Sequence, residues 1–317
     1  MESKKRKKIT TVTLNAAIDK TYYVPTLVKG TVMRAESVLS AAGGKGVNVA
    51  RVLRQLGHTE VAATGFASGY NGKFIIDQVK EIGIEAEFVE ALGESRLCLN
   101  FIDRGDGTST EILEPGPDIR EKHLDHLKRK LHQLAQESAL VIFSGSIPKG
   151  LHPGLYAQLI GIARAAGAEV FLDASGKPLS QGLLAKPSFI KPNEEEIVPL
   201  LAGTIENDLY EGVVSLMNKG IANVVVTLGG EGAVAGVEGK LYRVQTPKLK
   251  VVNTVGCGDA FVAGYAYGFA RNWPAVECLQ YAAAAGCANA LSSVAGDVRL
   301  ADHQTLLREV RVEAWNR

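Results

Sequence analysis

Leu140-Val141-Ile142-Phe143, followed at once by Ser144-Gly145-Ser146, is the stretch on which the fold class turns. Four apolar residues with a β-branched centre suit a strand covered on both faces, and the polar, glycine-bearing residues after it suit a strand end that meets a ligand. The same design recurs downstream. Val170-Phe171-Leu172 runs into Asp173-Ala174-Ser175-Gly176, Phe189-Ile190 into Lys191-Pro192-Asn193, and Val224-Val225-Val226 into Thr227-Leu228-Gly229-Gly230. Helical stretches separate several of these runs, such as Leu155 to Ala166, which stops at Gly167. Strand–helix alternation predicts a mostly parallel sheet with helices on both faces, and ligands at the carboxyl ends of its strands. Upstream, Ile9-Thr10-Thr11-Val12-Thr13-Leu14 reads as a strand. Two regions, at about residues 20–40 and 96–113, alternate in character and contain the turn Arg104-Gly105-Asp106-Gly107. They read either as hairpins outside the main layer or as further core strands.

The 317 residues are 46% hydrophobic with a formal charge of +1, enough for a large core in one or two domains. The near-balance of charge gives no footprint for nucleic acid or an acidic membrane surface. The basic cluster Lys4 to Lys8 precedes the first strand and reads as a solvated tail over residues 1–8, not as a nucleic-acid arm or a secretory signal. No run approaches the roughly 18 apolar residues that a membrane span requires. Cys98, Cys257, Cys278 and Cys287 form neither a CxxC pair nor a zinc-ligand spacing. Such a sparse set predicts a reducing, cytoplasmic setting.

The chemistry concentrates in two glycine-rich segments. In Asn253-Thr254-Val255-Gly256-Cys257-Gly258-Asp259-Ala260-Phe261, two glycines bring backbone amides close to a ligand, and the helix that follows directs its unpaired N–H groups to the same point. Asp259 beside that anion site can accept a proton from an attacking hydroxyl. The same residues read equally well as a helix cap and its turn. In Gly43-Gly44-Lys45-Gly46-Val47-Asn48-Val49-Ala50, Lys45 and Asn48 stand one helical turn apart near a second helix start; an ordinary glycine loop with a solvated lysine is the alternative. A Walker A loop is excluded, because no Gly-Lys is followed by Ser or Thr. A GxGxxG fingerprint fails at Phe261.

Together, GGKGVNVA and TVGCGDAF resemble the two signatures of the PfkB/ribokinase family of carbohydrate kinases. Ser144 to Gly150, Lys191 to Glu196 and Leu228 to Ala233 fall where that family has its intermediate motifs. The likeness runs from about Ile9 to about Leu307. Within the family, TLNAAID at Thr13–Asp19, GESR at Gly93–Arg96 and TEILEPGP at Thr110–Pro117 are most similar to the subgroup acting on ketohexose phosphates, the 1-phosphofructokinases and tagatose-6-phosphate kinases. Ala16 replaces that subgroup's proline.

The resemblance implies one ribokinase-like kinase domain over residues 1–317. Its fold would be a three-layer α/β sandwich with a central, mostly parallel sheet and a small β-sheet lid. It implies ATP and Mg²⁺ and a small sugar phosphate as partner, with no nucleic acid and no membrane; the sequence leaves the oligomeric state open, with a homodimer as one option. Asp19 would bond the sugar hydroxyls, and Gly44 would lie against the sugar. Lys45, Asn48 and Arg96 would hold the phosphate already present. Asp259 would be the base, and the amides of Gly256, Cys257 and Gly258 the anion hole. Asn193 and Glu196 would organise Mg²⁺ through water. Thr227, Gly229 and Gly232 would follow the nucleotide, with Asn289 near its adenine. Cys257 stands where the family has Ala or Ser, so a thiol beside the phosphates is expected to confer sensitivity to oxidation. Asn253 stands where many members have Asp. A kinase of an unphosphorylated sugar or nucleoside, and a non-catalytic sugar-phosphate sensor, are the rival readings. Lys45 with Arg96 argues against the first, and an intact GxGD against the second.

Overall fold

A computed structural model describes residues 7–201 and 208–315. In chain order the strands are β1 (Lys8–Thr13), β2 (Ala17–Val24), β3 (Ser37–Gly43), β4 (Val61–Phe66), β5 (Glu85–Val89), β6 (Arg96–Asp103), β7 (Ser109–Leu113), β8 (Ser138–Ser144), β9 (Glu169–Asp173), β10 (Phe189–Ile190), β11 (Asn223–Thr227), β12 (Ala233–Val237), β13 (Lys240–Gln245) and β14 (Arg311–Ala314). The helices are α1 (Lys45–Gln55), α2 (Gly69–Glu81), α3 (Glu121–Glu137), α4 (Leu155–Ala165), α5 (Gly176–Gly182), α6 (Glu194–Leu200), α7 (Leu209–Asn218), α8 (Cys257–Phe269), α9 (Ala275–Ala290) and α10 (Leu300–Leu307).

The main sheet has ten strands in the order β14-β13-β12-β11-β10-β9-β8-β1-β4-β5. From β5 to β11 the neighbours run parallel, and β12, β13 and β14 complete one edge in antiparallel pairs. The continuous apolar runs are explained by two cores, one on each face. On β8, Leu140 and Ile142 pack with Leu53, Phe261 and Leu279, while Val141 and Phe143 pack with Leu127, Tyr156 and Leu159. Side chains alternate across a strand, so a strand buried on both sides is apolar at every position. Helices α1, α8 and α9 thus cover one face, and α3 and α4 the other. The three-layer α/β sandwich expected from the sequence is the fold the chain adopts.

The second sheet is separate and has four strands, β3-β2-β6-β7. β2 pairs antiparallel with β3 and parallel with β6, which sets Asp19 opposite Cys98 and Ala17 opposite Arg96. β6 and β7 form a hairpin whose turn is held by Asp103, which accepts from the Gly105 amide at 2.7 Å. β3 runs directly into α1 through Gly44, so the small sheet and the main layer meet at that glycine.

Of the basic tail expected over residues 1–8, residues 1–6 lie outside the described residues. Lys8 already belongs to β1 and pairs with Glu85 at 2.9 Å and Glu137 at 2.7 Å, so the tail does not reach it. Among the described residues, no helix is long and apolar enough to cross a membrane.

Candidate active site

The carboxyl ends of β10 and β11 open onto a cleft of about 1210 Å³, with the small sheet on one side and the start of α8 on the floor. Asp259 stands in the first turn of α8, nearly buried. Its Oδ2 accepts a 2.9 Å hydrogen bond from Asn48 Nδ2. Burial pushes its carboxyl up to about 6, and Asp173 adds to this, while Lys45, Asn48 and Lys191 pull it down. A buried carboxyl kept near neutrality in this way is poised to take a proton from a hydroxyl.

The loop before α8 has little freedom. Gly256 caps the helix with φ 86°, and a Cβ there would come within 2.5 Å of Gly296 N, so both the conformation and the space require glycine. A Cβ on Gly258 would stand 3.1 Å from Lys191 Nζ. As first-turn residues, Gly258 and Asp259 have amides without an intrahelical acceptor. The Cys257 amide, expected in the same hole, donates to Thr254 O over a long 3.3 Å. Asn253 folds the loop, accepting from the Val255 amide at 3.0 Å and donating to Ser293 O at 3.3 Å. An aspartate could not make that second bond, which gives the Asn at this position a role in the loop.

Asp173, at the end of β9, is a centre the motifs did not indicate. It is 1% exposed, with Lys45 Nζ at 3.6 Å, Lys191 Nζ at 3.5 Å and Ser144 Oγ donating at 3.2 Å. Burial works to raise its pKa, but the two lysines and Ser144 outweigh that and hold it below the usual carboxylate range. Lys45 is held firmly protonated, first by Asp173 and then by Asp259 and Glu196. Two carboxylates and two ammonium groups therefore stand together beside the helix start. The polar ends of the strands at Asp173 and Lys191 were the available signal; their convergence comes from β9 and β10 being neighbours.

At the small-sheet end, Asp19 is enclosed between β3 and β6. A Cβ on Gly43 would overlap its carboxyl. Burial lifts Asp19 to about 6, against the pull of Arg51 and Arg96. Arg96 opens β6 and donates from Nε to Asn15 O at 3.2 Å. Gly44 adopts φ 90°, and a Cβ there would meet Thr13 Cγ2 at 2.9 Å; the collision it avoids in this structure is with the protein. Lys45, Asn48 and Arg96 all line the cleft, but Lys45 and Asn48 contact the carboxylate cluster while Arg96 contacts the β1 end.

Asn193 and Glu196 form a reciprocal cap on α6: Asn193 Oδ1 accepts from Glu196 N at 2.8 Å, and Asn193 N donates to Glu196 Oε2 at 3.0 Å. Both line the cleft, as do Thr227, Gly229 and Gly232. Asn289 does not. It is fully buried behind the loop, where Nδ2 donates to Val255 O at 2.9 Å and to Cys257 Sγ at 3.4 Å, and Oδ1 accepts from Gly296 N at 2.8 Å. Its neighbours Gly286, Cys287 and Ala290 present the α9 surface to the cleft instead.

A model of the pfkB family of carbohydrate kinases matches residues 12–299. A tagatose-6-phosphate kinase of Staphylococcus epidermidis is 36% identical over 310 residues, covering 96% of this chain and 99% of that protein. The solved structure of phosphofructokinase-2 from Escherichia coli in complex with potassium has a TM-score of 0.89 at 27% identity, over 95% of this chain and 98% of that one. In complex with fructose-6-phosphate, the same enzyme gives 0.88 at 25%, with the same coverage.

Proposed function

Because the chain belongs to the pfkB family of carbohydrate kinases, we propose that it transfers the γ-phosphoryl group of ATP to a hydroxyl of a ketohexose phosphate, giving the bisphosphate. The observation that carries this reading is Asp259 at the start of α8, sharing one cleft with Asp19 and Arg96 on the opposite sheet. Asp259 takes the proton of the attacking hydroxyl as its oxygen bonds to phosphorus and ADP departs. The first-turn amides of α8 and the Gly256–Gly258 loop stabilise charge on the group in transfer. Lys45 and Lys191, oriented by Asp173, add positive charge there. Asp19 receives sugar hydroxyls, and Arg96 offers a bidentate fork to the phosphate already present. Thr227, Gly229 and Gly232 lie along the nucleotide.

The residues present fit Mg²⁺. One carboxylate oxygen of Glu196 is held by Asn193 N–H, and the donors are hard oxygens. Among the described residues no three of His, Cys, Asp or Glu cluster into a cage, so the ion would be held through water and the nucleotide's own phosphates. When bound it neutralises charge between the phosphates.

Tagatose 6-phosphate, attacked at its C1 hydroxyl, is the favoured substrate, supported by TEILEPGP at Thr110–Pro117 and by the relative named for that activity. Fructose 1-phosphate, attacked at C6, is the second reading. Closure of the small sheet over the cleft would exclude water from the transfer. The exposed apolar Val38 and Ile112 on its edge strands, on the face turned away from the cleft, suit coverage by a second copy, giving a homodimer; a monomer in light scattering at micromolar concentration would remove that assembly. The four free cysteines suit a cytoplasmic location, which fractionation of the producing cell would test.

The deciding experiment is a coupled ADP-release assay with Mg-ATP against tagatose 6-phosphate, fructose 1-phosphate, fructose 6-phosphate, fructose and ribose. A higher kcat/KM for an unphosphorylated sugar would overturn the substrate class. Asp259→Asn is expected to lower kcat by orders of magnitude with little change in substrate binding, and near-normal turnover would remove the base assignment.

A further inference from the structure

Arg51 lies on α1, one turn beyond Asn48, and is half-buried beside the cleft without lining it. Its guanidinium donates to three acceptors from separate parts of the chain. Nη1 reaches Asn48 Oδ1 at 3.1 Å and Ala295 O at 2.9 Å, and Nη2 reaches Ala42 O at the end of β3. Asn48 turns its other end, Nδ2, to Asp259.

An arginine can only donate, whereas a side-chain amide has one accepting and one donating end. With Arg51 on its oxygen, Asn48 can face Asp259 only with its N–H₂. Were the amide turned over, its oxygen would face a carboxylate and its N–H₂ a guanidinium, two unfavourable contacts at once. We infer that Arg51 is a positioning residue for the base: it fixes the Asn48 amide toward Asp259 and ties that pair both to the small sheet at Ala42 and to the 295–296 turn. The inference rests on the reading of Asp259 as base.

The turn is itself part of the site's frame. A Cβ on Gly296 would stand 2.7 Å from Asn48 Cβ, and Gly296 in turn packs against Gly256. Asn289 then bonds Gly296 N on one side and Val255 O on the other. One hydrogen-bonded path thus runs from β3 through Arg51 and the 295–296 turn to the loop that precedes α8. The charged groups around it are few. Asp259 faces Lys45, Asp173 and Lys191; Arg51 faces Asp19, Asp297 and Asp259. Asp297 is in turn held by Gln55 Nε2 at 3.0 Å and Ser292 Oγ at 2.7 Å.

The test compares wild type, Arg51→Gln, Arg51→Lys, Asn48→Ala and the Arg51→Gln/Asn48→Ala pair, measuring kcat and both KM values from pH 5 to 9. Arg51→Gln is expected to lower kcat at neutral pH by about tenfold or more, to leave KM for ATP within about twofold, and to move the acid limb of kcat to higher pH, since Asp259 loses an oriented donor and a nearby cation. In the Asn48→Ala background the same substitution should cost clearly less. Arg51→Lys keeps the charge but cannot span three acceptors. It should give an intermediate kcat with a smaller limb shift, and it carries the test should Arg51→Gln not fold. An unmoved acid limb together with equal cost in both backgrounds, or a wild-type kcat for Arg51→Lys, overturns the inference. Asp259→Asn separates the two levels: if it stays active, the base reading falls and this inference with it. If it is inactive while the Arg51 variants show no coupling, only the inference falls.

Discussion

Asp173 holds Lys45 at 3.6 Å from a position that is 1% exposed, at the end of a strand with no sequence motif of its own. The lysine is thereby aimed between two carboxylates, Asp173 behind and Asp259 beside it. An ammonium on a flexible stem loses little in orientation when its anchor is buried and fixed. Its remaining N–H groups are then left to face the cleft that Lys45 lines.

Asp173→Asn should therefore affect stability and turnover together. Removing one partner from a buried ion pair leaves charge uncompensated, and the deeply buried Lys191 suffers most; a loss of about 3 kcal/mol is expected. Chemical denaturation with matched m-values measures this. Because Asp173 contributes to raising Asp259, its neutralisation should also carry the acid limb of kcat to lower pH. A limb that moves upward instead would contradict the stated coupling.

The pH dependence of the wild type follows from the raised carboxyl of Asp259. Its folded value of about 6 exceeds the ordinary 3.8. Asp259 is thus ionised only above about pH 6, and, on its proposed role as base, kcat should fall below that point with unit slope. For stability the sign is the reverse of the common aspartate case. The folded state holds the proton more tightly, so this group's contribution is full below about pH 4 and is lost as pH rises to about 6. Asp19, lifted to about 6 by the same burial, acts in the same direction. In Asp259→Asn, the decline in unfolding free energy between pH 4 and 6 should be shallower than in wild type. An unchanged slope would place the proton elsewhere.

The legible part of this molecule is the part whose signal is local. Leu140–Phe143 and Val224–Val226 announce strands buried on both faces because every position is apolar. Gly256, Gly258 and Asp259 sit within four residues of one another, so their placement together at the start of α8 survives in the sequence. Asp173 and Lys191 are single polar residues at strand ends, and only the adjacency of β9 and β10 brings them together. Arg51 escaped for the same reason: Ala295, one of its acceptors, is 244 residues away. Asn289 was expected at the nucleotide from the family resemblance alone, although a buried alanine-rich helix accounts for that stretch equally well. The rotation of α9 turns it inward to Val255 and Gly296 and leaves Cys287 at the cleft.

Asn289 also bears on Cys257. Burial pushes that thiol's pKa upward, and the Asn289 amide donating to Sγ only partly offsets this. A protonated, half-buried thiol is a poor nucleophile, so the oxidation sensitivity expected of it should be weak. Cys257→Ala should keep kcat within about threefold, since the backbone of the loop is unchanged, and brief iodoacetamide treatment at pH 7 should leave wild-type activity nearly intact. Rapid inactivation prevented by Cys257→Ala would show that the thiol is ionised in solution.

Gly256 is the position where sequence, backbone and chemistry can be tested by one methyl group. Its φ of 86° strains any other residue, and the added Cβ has Gly296 N at 2.5 Å with Ala295 just behind. Neither neighbour can withdraw easily, because Arg51 bonds Ala295 O and Asn289 bonds Gly296 N. Gly256→Ala should cost about 1–3 kcal/mol in stability from strain alone. The larger effect should fall on catalysis, since a shift of the loop misaims the amides of Gly258 and Asp259; a drop in kcat of about a hundredfold is expected. Gly230→Ala is the control, because that glycine lines the cleft with open space at its Cβ position and no positive φ. If the two alanine variants lose kcat equally, the loop geometry at Gly256 is not what supports phosphoryl transfer.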